Sequence, residues 1–165
     1  MTPQVRVVVL NHDGGATTLE CLHRLEAIDY PRERLELVLI DNGSSDDVAA
    51  RTRRDHPDVT VIESPVNLGF AGGNNLALRD LDGVDCVALV NNDVLVEPGW
   101  LQPLVDALEA DPGVGAACPK ILLADPMLEL EIRAGATRRA GRGDRRERGV
   151  RVSGVRVDGA DRWRR

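Results

Sequence analysis

A mainly parallel, open α/β sheet is the fold this sequence predicts, and three observations predict it. Four short aliphatic, β-branched runs alternate with segments whose apolar residues recur at helical spacing. The runs are apolar on successive residues, the pattern of strands covered on both faces. Three of them stop abruptly at clusters of Asn, Asp, Ser and Gly, the residues of turns. At 165 residues a single core is the natural expectation. It is assigned to residues 1–130, with residues 131–165 as a tail.

Gln4 to Leu10 is the first strand, interrupted only by Arg6, and it ends at Asn11-His12-Asp13-Gly14-Gly15. Leu19, Leu22, Leu25 and Ile28 then recur at helical spacing over Thr17 to Ile28, so a helix packs back on the sheet. Leu35 to Ile40 repeats the scheme and ends in Asp41-Asn42-Gly43-Ser44-Ser45-Asp46-Asp47. There Ser44 or Ser45 can cap the next helix, with acidic residues at its start. Asp41 precedes that turn and is not explained by it.

Val59 to Ile62 is a shorter third strand. A helix begins within Pro65 to Leu78 and runs to about Leu81, although Gly72 and Gly73 cost about 1 kcal/mol each there relative to Ala. Close approach of the backbone to a ligand, or of the helix to the sheet, would repay the missing side chains. Cys86 to Val90 is the fourth strand, ending in Asn91-Asn92-Asp93. Trp100 to Ala110 reads as a helix with Leu101, Leu104, Val105 and Leu108 on one face, and Trp100 as a packing anchor at its start. Val114 to Cys118 and Ile121 to Leu123 read as a strand kinked at Pro119.

Residues 1–130 carry 9 basic and 22 acidic side chains, residues 131–165 12 basic and 5 acidic. The Arg- and Gly-rich tail is expected to be mobile or loosely docked. Its one local signal is Val150-Arg151-Val152 and Val155-Arg156-Val157 about Ser153-Gly154, a hairpin pattern. Nucleic acid is not an expected partner, because Trp163 is the tail's only aromatic and base stacking needs more. No run reaches the ~18 apolar residues of a membrane span, and the amino terminus is unlike a signal peptide, so the expected compartment is the cytoplasm. Cys21, Cys86 and Cys118 make neither a CxxC pair nor an even disulfide set and are read as structural thiols. His23 and His56 have no ligand spacing and are read as surface residues.

In a parallel sheet the three polar clusters lie along one edge, the usual ligand side. Each alone is met by turn and capping chemistry; together, with the glycine-rich segment, they point to a nucleotide site. A dinucleotide fingerprint is absent, since Asn11-His12-Asp13-Gly14-Gly15 does not fit GxGxxG, and no GxxxxGK[ST] occurs. A diphosphate therefore needs another source of positive charge. Asp93 holding Mg2+ or Mn2+ supplies it, because these cations favour carboxylate and phosphate oxygens.

Four segments in order, Val7 to Gly14, Leu39 to Asp46, Asn67 to Asn75, and Asn91-Asn92-Asp93 through Leu101, resemble the donor-binding half of family 2 glycosyltransferases with the GT-A fold. The likeness is strongest to the bacterial rhamnosyltransferase-like branch, and Pro119-Lys120-Ile121 fits that branch as well. The resemblance implies that Asn11 and His12 line the base pocket, that Asp41 accepts from the base or ribose, and that Gly72, Gly73 and Asn75 form a wall beside the nucleotide. It sets Asn91-Asn92-Asp93 where the family has DxD, with Asp93 on the metal and Asn92 towards the ribose. His12 and Asp13 depart from the family's more frequent Tyr and Asn.

The resemblance also implies a nucleotide-sugar donor of dTDP-rhamnose or UDP-hexose type and a glycan or lipid-linked acceptor, with peripheral contact at the inner face of the membrane. In the family the general base and acceptor surface follow the donor half, and no substitute is found in residues 131–165. A second expectation is thus a nucleotide-binding module, inactive alone, whose acceptor half comes from another chain or is lost.

Overall fold

The computed structural model describes residues 1–122 together with residues 131–132, 150–151 and 161–162. The four aliphatic runs are β1 (Val5–Asn11), β2 (Leu35–Asn42), β3 (Val59–Ser64) and β4 (Cys86–Asn91). They pair in parallel in the order β3-β2-β1-β4. Between them run α1 (Gly15–Glu26), α2 (Val48–Asp55) and α3 (Gly69–Ala77), and α4 (Gln102–Glu109) follows β4. The expected α/β architecture is thus observed. Because the chain steps outward from β1 to β3 and then returns to set β4 on the other side of β1, the order reverses between β1 and β4. A crevice opens at such a switch point, beyond the carboxyl ends of the strands.

Burial on both faces accounts for the continuous apolar runs. Val5, Val7 and Val9 of β1 join Leu37 and Leu39 of β2 on one face, against Leu22 and Leu25 of α1 and Val105 of α4. Val8, Val38 and Ile40 lie on the other, with Ala77 of α3. Each fully buried Val or Leu contributes about 1.5–3 kcal/mol. Arg6, the one interruption in β1, is anchored by Glu36 at 2.7 Å and donates to the carbonyls of Ala77 and Asp80. It thereby caps the carboxyl end of α3, where a cation is favoured.

Three expectations are corrected. The serines do not cap α2: the side chain that meets its first turn is Asp46, whose Oδ1 accepts from the Val48 amide at 3.2 Å, while Ser44 and Ser45 bond towards β1. The expected fifth strand shrinks to β5 (Ala117–Cys118), which lies outside the four-stranded sheet and pairs antiparallel with β8 (Asp161–Arg162). Pro119, lacking a donor, stops it. His56 is buried, its Nδ1 2.6 Å from Glu26 Oε2, and joins the end of α2 to that of α1; His23 is exposed as expected.

In the Arg/Gly-rich segment, β7 (Val150–Arg151) pairs antiparallel with β6 (Glu131–Ile132). The other arm of the expected hairpin, residues 155–157, and the expectation of a mobile tail lie outside the described residues. No helix among the described residues is long and apolar enough to cross a membrane.

Candidate functional site

The parallel register sets Asn11 opposite Asp41 and Leu10 opposite Asn91, so the polar tips of β1, β2 and β4 meet along one edge. Hydrogen bonds then tie the tips together. Asn11 is the hub and is wholly buried. Its Oδ1 accepts from the Gly14 amide at 3.1 Å and from Thr18 Oγ1 at 2.7 Å, and its Nδ2 donates to Ser44 Oγ at 3.0 Å. Asn92 Nδ2 donates to Thr18 Oγ1 at 3.0 Å and lies 3.5 Å from Asn11 Oδ1. These bonds offset the cost of burying a carboxamide at zero exposure.

A second stitch joins the turns after β1 and β2. Asp13, in left-handed backbone at φ 54°, accepts from the Ser45 amide at 2.7 Å and from its hydroxyl at 3.0 Å. These bonds hold the Asp13 carboxyl below its ordinary range, the amide contributing most. Asp46 Oδ2 accepts from the Gly15 amide, at the first residue of α1. A carboxylate of this chain thus already takes the first amide of α1, at the end of the helix that favours an anion.

Asp41 is nearly buried, and its Oδ1 accepts from the Ser44 amide at 3.1 Å. Its neighbour Asn42, also buried, clamps the segment leading into α3: Oδ1 accepts from the Leu68 amide at 2.9 Å and Nδ2 donates to Asn67 Oδ1 at 3.0 Å. Gly73 packs where a Cβ would lie 2.5 Å from Leu10 Cδ1 and 3.1 Å from Asn42 Cγ. Close approach of α3 to the sheet thus accounts for Gly73. At Gly72 a Cβ would come within 3.0 Å of Leu68 Cβ.

Asn91 and Asp93 are exposed and Asn92 is half-buried between them. The Asp93 carboxylate makes no hydrogen bond or ion pair among the described residues. Among those residues no three His, Cys, Asp or Glu side chains converge to hold a metal. One uncommitted aspartate suits a hard divalent cation whose remaining ligands are water and ligand phosphate, and does not suit a metal held by protein alone. Cys21 of α1 donates its thiol to the Asn91 carbonyl at 3.6 Å, and burial chiefly, with Asp93 adding to it, pushes that thiol up to about 11. It is a structural contact and no nucleophile at neutral pH.

Of the residues singled out in the sequence, Asn11, Asp41 and Asn92 belong to one bonded network, and exposed His12 follows Asn11 directly in the chain. Asn91 and Asp93 flank Asn92. Asn75 is exposed on α3, and no hydrogen bond connects its side chain to the tips. Thr18 went unread, Asn42 was read only as part of the turn cluster, and Asp46, expected to be a solvated charge at a helix start, instead holds the Gly15 and Val48 amides. Thr18 left the best clue, a buried polar residue beside Leu19 in a helix whose inner face is otherwise apolar.

A family model described as glycosyl transferase family 2 matches residues 6–153, reaching past Leu130 into the Arg/Gly-rich segment. The chain is 28% identical over 137 residues to the N-acetylglucosaminyl-diphospho-decaprenol L-rhamnosyltransferase of Mycobacterium tuberculosis, a match that covers 76% of this chain and 43% of that protein. The chain thus spans less than half the length of this curated relative. The mannosyltransferase PcManGT from Pyrobaculum calidifontis, solved in complex with GDP-Man and Mn2+, superposes with a TM-score of 0.60 at 32% identity, over 70% of this chain and 34% of that one. S. aureus TarS 1-349 in complex with UDP-GlcNAc gives 0.55 at 21% identity, over 67% of this chain and 32% of that one. These neighbours bear out the GT-A fold.

Proposed function

This chain belongs to glycosyl transferase family 2, and from that premise we propose that it forms the nucleotide-sugar-binding part of an enzyme that transfers a sugar with inversion. The donor is of dTDP-rhamnose or UDP-hexose type and the acceptor a glycan or a lipid-linked saccharide, met at the inner face of the membrane. The observation that carries the reading is the edge itself: Asp41 near the end of β2 and Asn92 and Asp93 just beyond β4 flank β1 at the same edge of the sheet, and Asp93 is left without a protein partner among the described residues. The rhamnosyl and lipid-diphosphate parts of the mycobacterial relative's name support the donor and acceptor classes.

In this reading Asp41 accepts a hydrogen bond from the base or ribose with the oxygen not held by Ser44, and Asn92 faces the ribose. His12 lines the base pocket from the exposed turn after β1. Asn11, which has no exposed surface, acts by holding its neighbours. Asp93 holds Mg2+ or Mn2+ against the diphosphate, and Gly72 and Asn75 flank the nucleotide from α3. A cation bound there supplies charge neutralisation for the departing nucleoside diphosphate. The acceptor hydroxyl attacks the anomeric carbon from the side opposite that leaving group and gives its proton to a general base.

A second reading, a nucleotide-binding module completed by another chain, is favoured by β4. Among the described residues it is paired only on its β1 side, and Val87 and Leu89 remain exposed.

Titrating UDP and dTDP into the chain with and without Mn2+ tests the donor site. Metal-dependent binding that Asp93→Ala weakens is expected, and equal binding in EDTA overturns the metal assignment. Asp41→Asn is expected to weaken binding even without metal. Transfer to a lipid-linked acceptor by the chain alone, compared with transfer after adding a candidate partner chain, separates the two readings.

A further inference from the structure

We propose that Thr18 is a positioning residue: its buried hydroxyl, through Asn11, fixes which end of the Asn92 carboxamide faces the crevice. The inference rests on the reading of Asn92 as a nucleotide-contacting group. A helix threonine commonly turns its hydroxyl back to a carbonyl one turn earlier. Thr18 instead reaches out of α1, donating to Asn11 of β1 and accepting from Asn92 beyond β4.

The order of donors and acceptors leaves one arrangement. The Gly14 backbone N–H can only donate, so the atom of the Asn11 side chain 3.1 Å from it must be the carbonyl Oδ1. That oxygen can only accept, so Thr18 spends its single proton on it, at 2.7 Å. Towards Asn92, 3.0 Å away, the Thr18 hydroxyl then has only lone pairs, and it must meet the amino end, Nδ2. The carbonyl end of Asn92 accepts no hydrogen bond among the described residues and remains available as an acceptor. Ser44 agrees from the far side: it accepts both the Asn11 Nδ2 proton, at 3.0 Å, and the Asp13 amide, at 3.2 Å.

Gly14 keeps the relay compact. A Cβ there would lie 2.1 Å from Asn92 Nδ2, 2.2 Å from Thr18 Oγ1 and 2.8 Å from Asn11 Oδ1. Its φ of −81° is open to any residue, so the missing side chain serves space and not backbone freedom. An acceptor presented at the strand tip takes the proton of a ribose hydroxyl and leaves that hydroxyl's lone pairs free for other donors. A reversed carboxamide would present N–H groups there and suit a different partner.

The test uses the full chain with Thr18→Val, which keeps shape and loses the hydroxyl, and Thr18→Ser, which keeps the hydroxyl. In 15N NMR the Asn92 carboxamide protons, identified by their loss in Asn92→Ala, are expected to exchange slowly in the wild type and in Thr18→Ser, and fast in Thr18→Val. In titrations with Mn2+, the wild type and Thr18→Ser are expected to favour UDP over 2′,3′-dideoxy-UDP by about tenfold, the scale of one hydrogen bond to a hydroxyl. Thr18→Val should reduce that preference by as much as Asn92→Ala does, and adding it to Asn92→Ala should change nothing further. A Thr18→Val protein with an unaltered Asn92 carboxamide, or with the preference intact, overturns the proposal, as does an additive double variant. Failure of the wild type to bind either nucleotide overturns the donor-site reading instead, and the exchange measurement still decides whether Thr18 holds Asn92.

Discussion

Asp46 Oδ2 accepts a hydrogen bond from the backbone N–H of Gly15 at 2.9 Å, while its Oδ1 accepts from Val48 at 3.2 Å. One carboxylate thereby serves the first turns of α1 and α2, and fastens the turn after β1 to the turn after β2. Removing a capping side chain costs about 1 kcal/mol for a single amide. With two amides orphaned, Asp46→Ala is expected to lower stability by about 1–2 kcal/mol, and Asp46→Asn by at least about 1 kcal/mol, since its one oxygen serves a single amide and its amino end meets the other. Urea unfolding with an unchanged slope reads the difference; a midpoint equal to wild type would show that water replaces the carboxylate at no cost.

The sheet was legible because each of its strands carries its own signal. The runs Val7-Val8-Val9 and Val38-Leu39-Ile40 are apolar on consecutive residues, which only two-sided burial requires, and both are buried on both faces. The clustering of Asn11, Asp41 and Asn92 followed from parallel pairing alone. What could not be read were bonds between turns. Asp46 to Gly15 and Asn42 to Leu68 join residues 31 and 26 positions apart and leave no period in the sequence. His56 misled for the same reason: its spacing said surface, whereas Glu26, a helix away, gives its imidazole a partner and so permits burial. Gly73 shows the limit from the other side. The need for a missing side chain was plain, but whether ligand or sheet filled the space depended on Leu10 and Asn42, far away in the chain.

Gly14 and Gly15 adjoin but should respond oppositely to a methyl group. At Gly14 the backbone tolerates alanine and the surroundings do not, with three polar atoms inside 2.8 Å of the added carbon. At Gly15 the space is open but φ is +54°, which costs a non-glycine residue about 1–2 kcal/mol. Gly15→Asn should therefore be mild, since Asn tolerates that region best. Gly14→Ala should destabilise by about 1–3 kcal/mol, as overpacking does, and should also disturb the Asn92 carboxamide. Thermal melts of the three proteins check the order, and a Gly14→Ala protein as stable as Gly15→Asn would contradict the packing at the relay.

Asp13 supplies a pH dependence with a definite sign. The Ser45 amide, and after it the Ser45 hydroxyl, favour the carboxylate and hold its pKa below the ordinary 3.8. A group depressed on folding contributes stability above its unfolded pKa, and loses that contribution as pH falls through the folded value. Comparing wild type with Asp13→Ala by urea unfolding across pH should therefore give a constant gap from neutral pH down to about 4, closing only below that. A gap that closes between pH 5 and 7 would assign the effect to another group.

Cys21 carries the opposite sign and reports on the strand tip from behind. Its thiol is buried and donates to the Asn91 carbonyl, and its pKa rises from 9.0 to about 11, first through burial and then through the charge of Asp93. Thiolate is the reactive form, so at pH 8 Cys21 should resist iodoacetamide in the native protein and react only after denaturation. Cys118 is exposed and should be alkylated directly. A thiol raised on folding stabilises the fold below its unfolded pKa and loses that contribution as pH climbs from 9.0 through about 11. Because burial is the larger cause, Asp93→Ala should leave Cys21 protected. Site-resolved mass spectrometry after timed alkylation reads all of these outcomes, and rapid native labelling of Cys21 would mean that α1 does not stay seated against the end of β4.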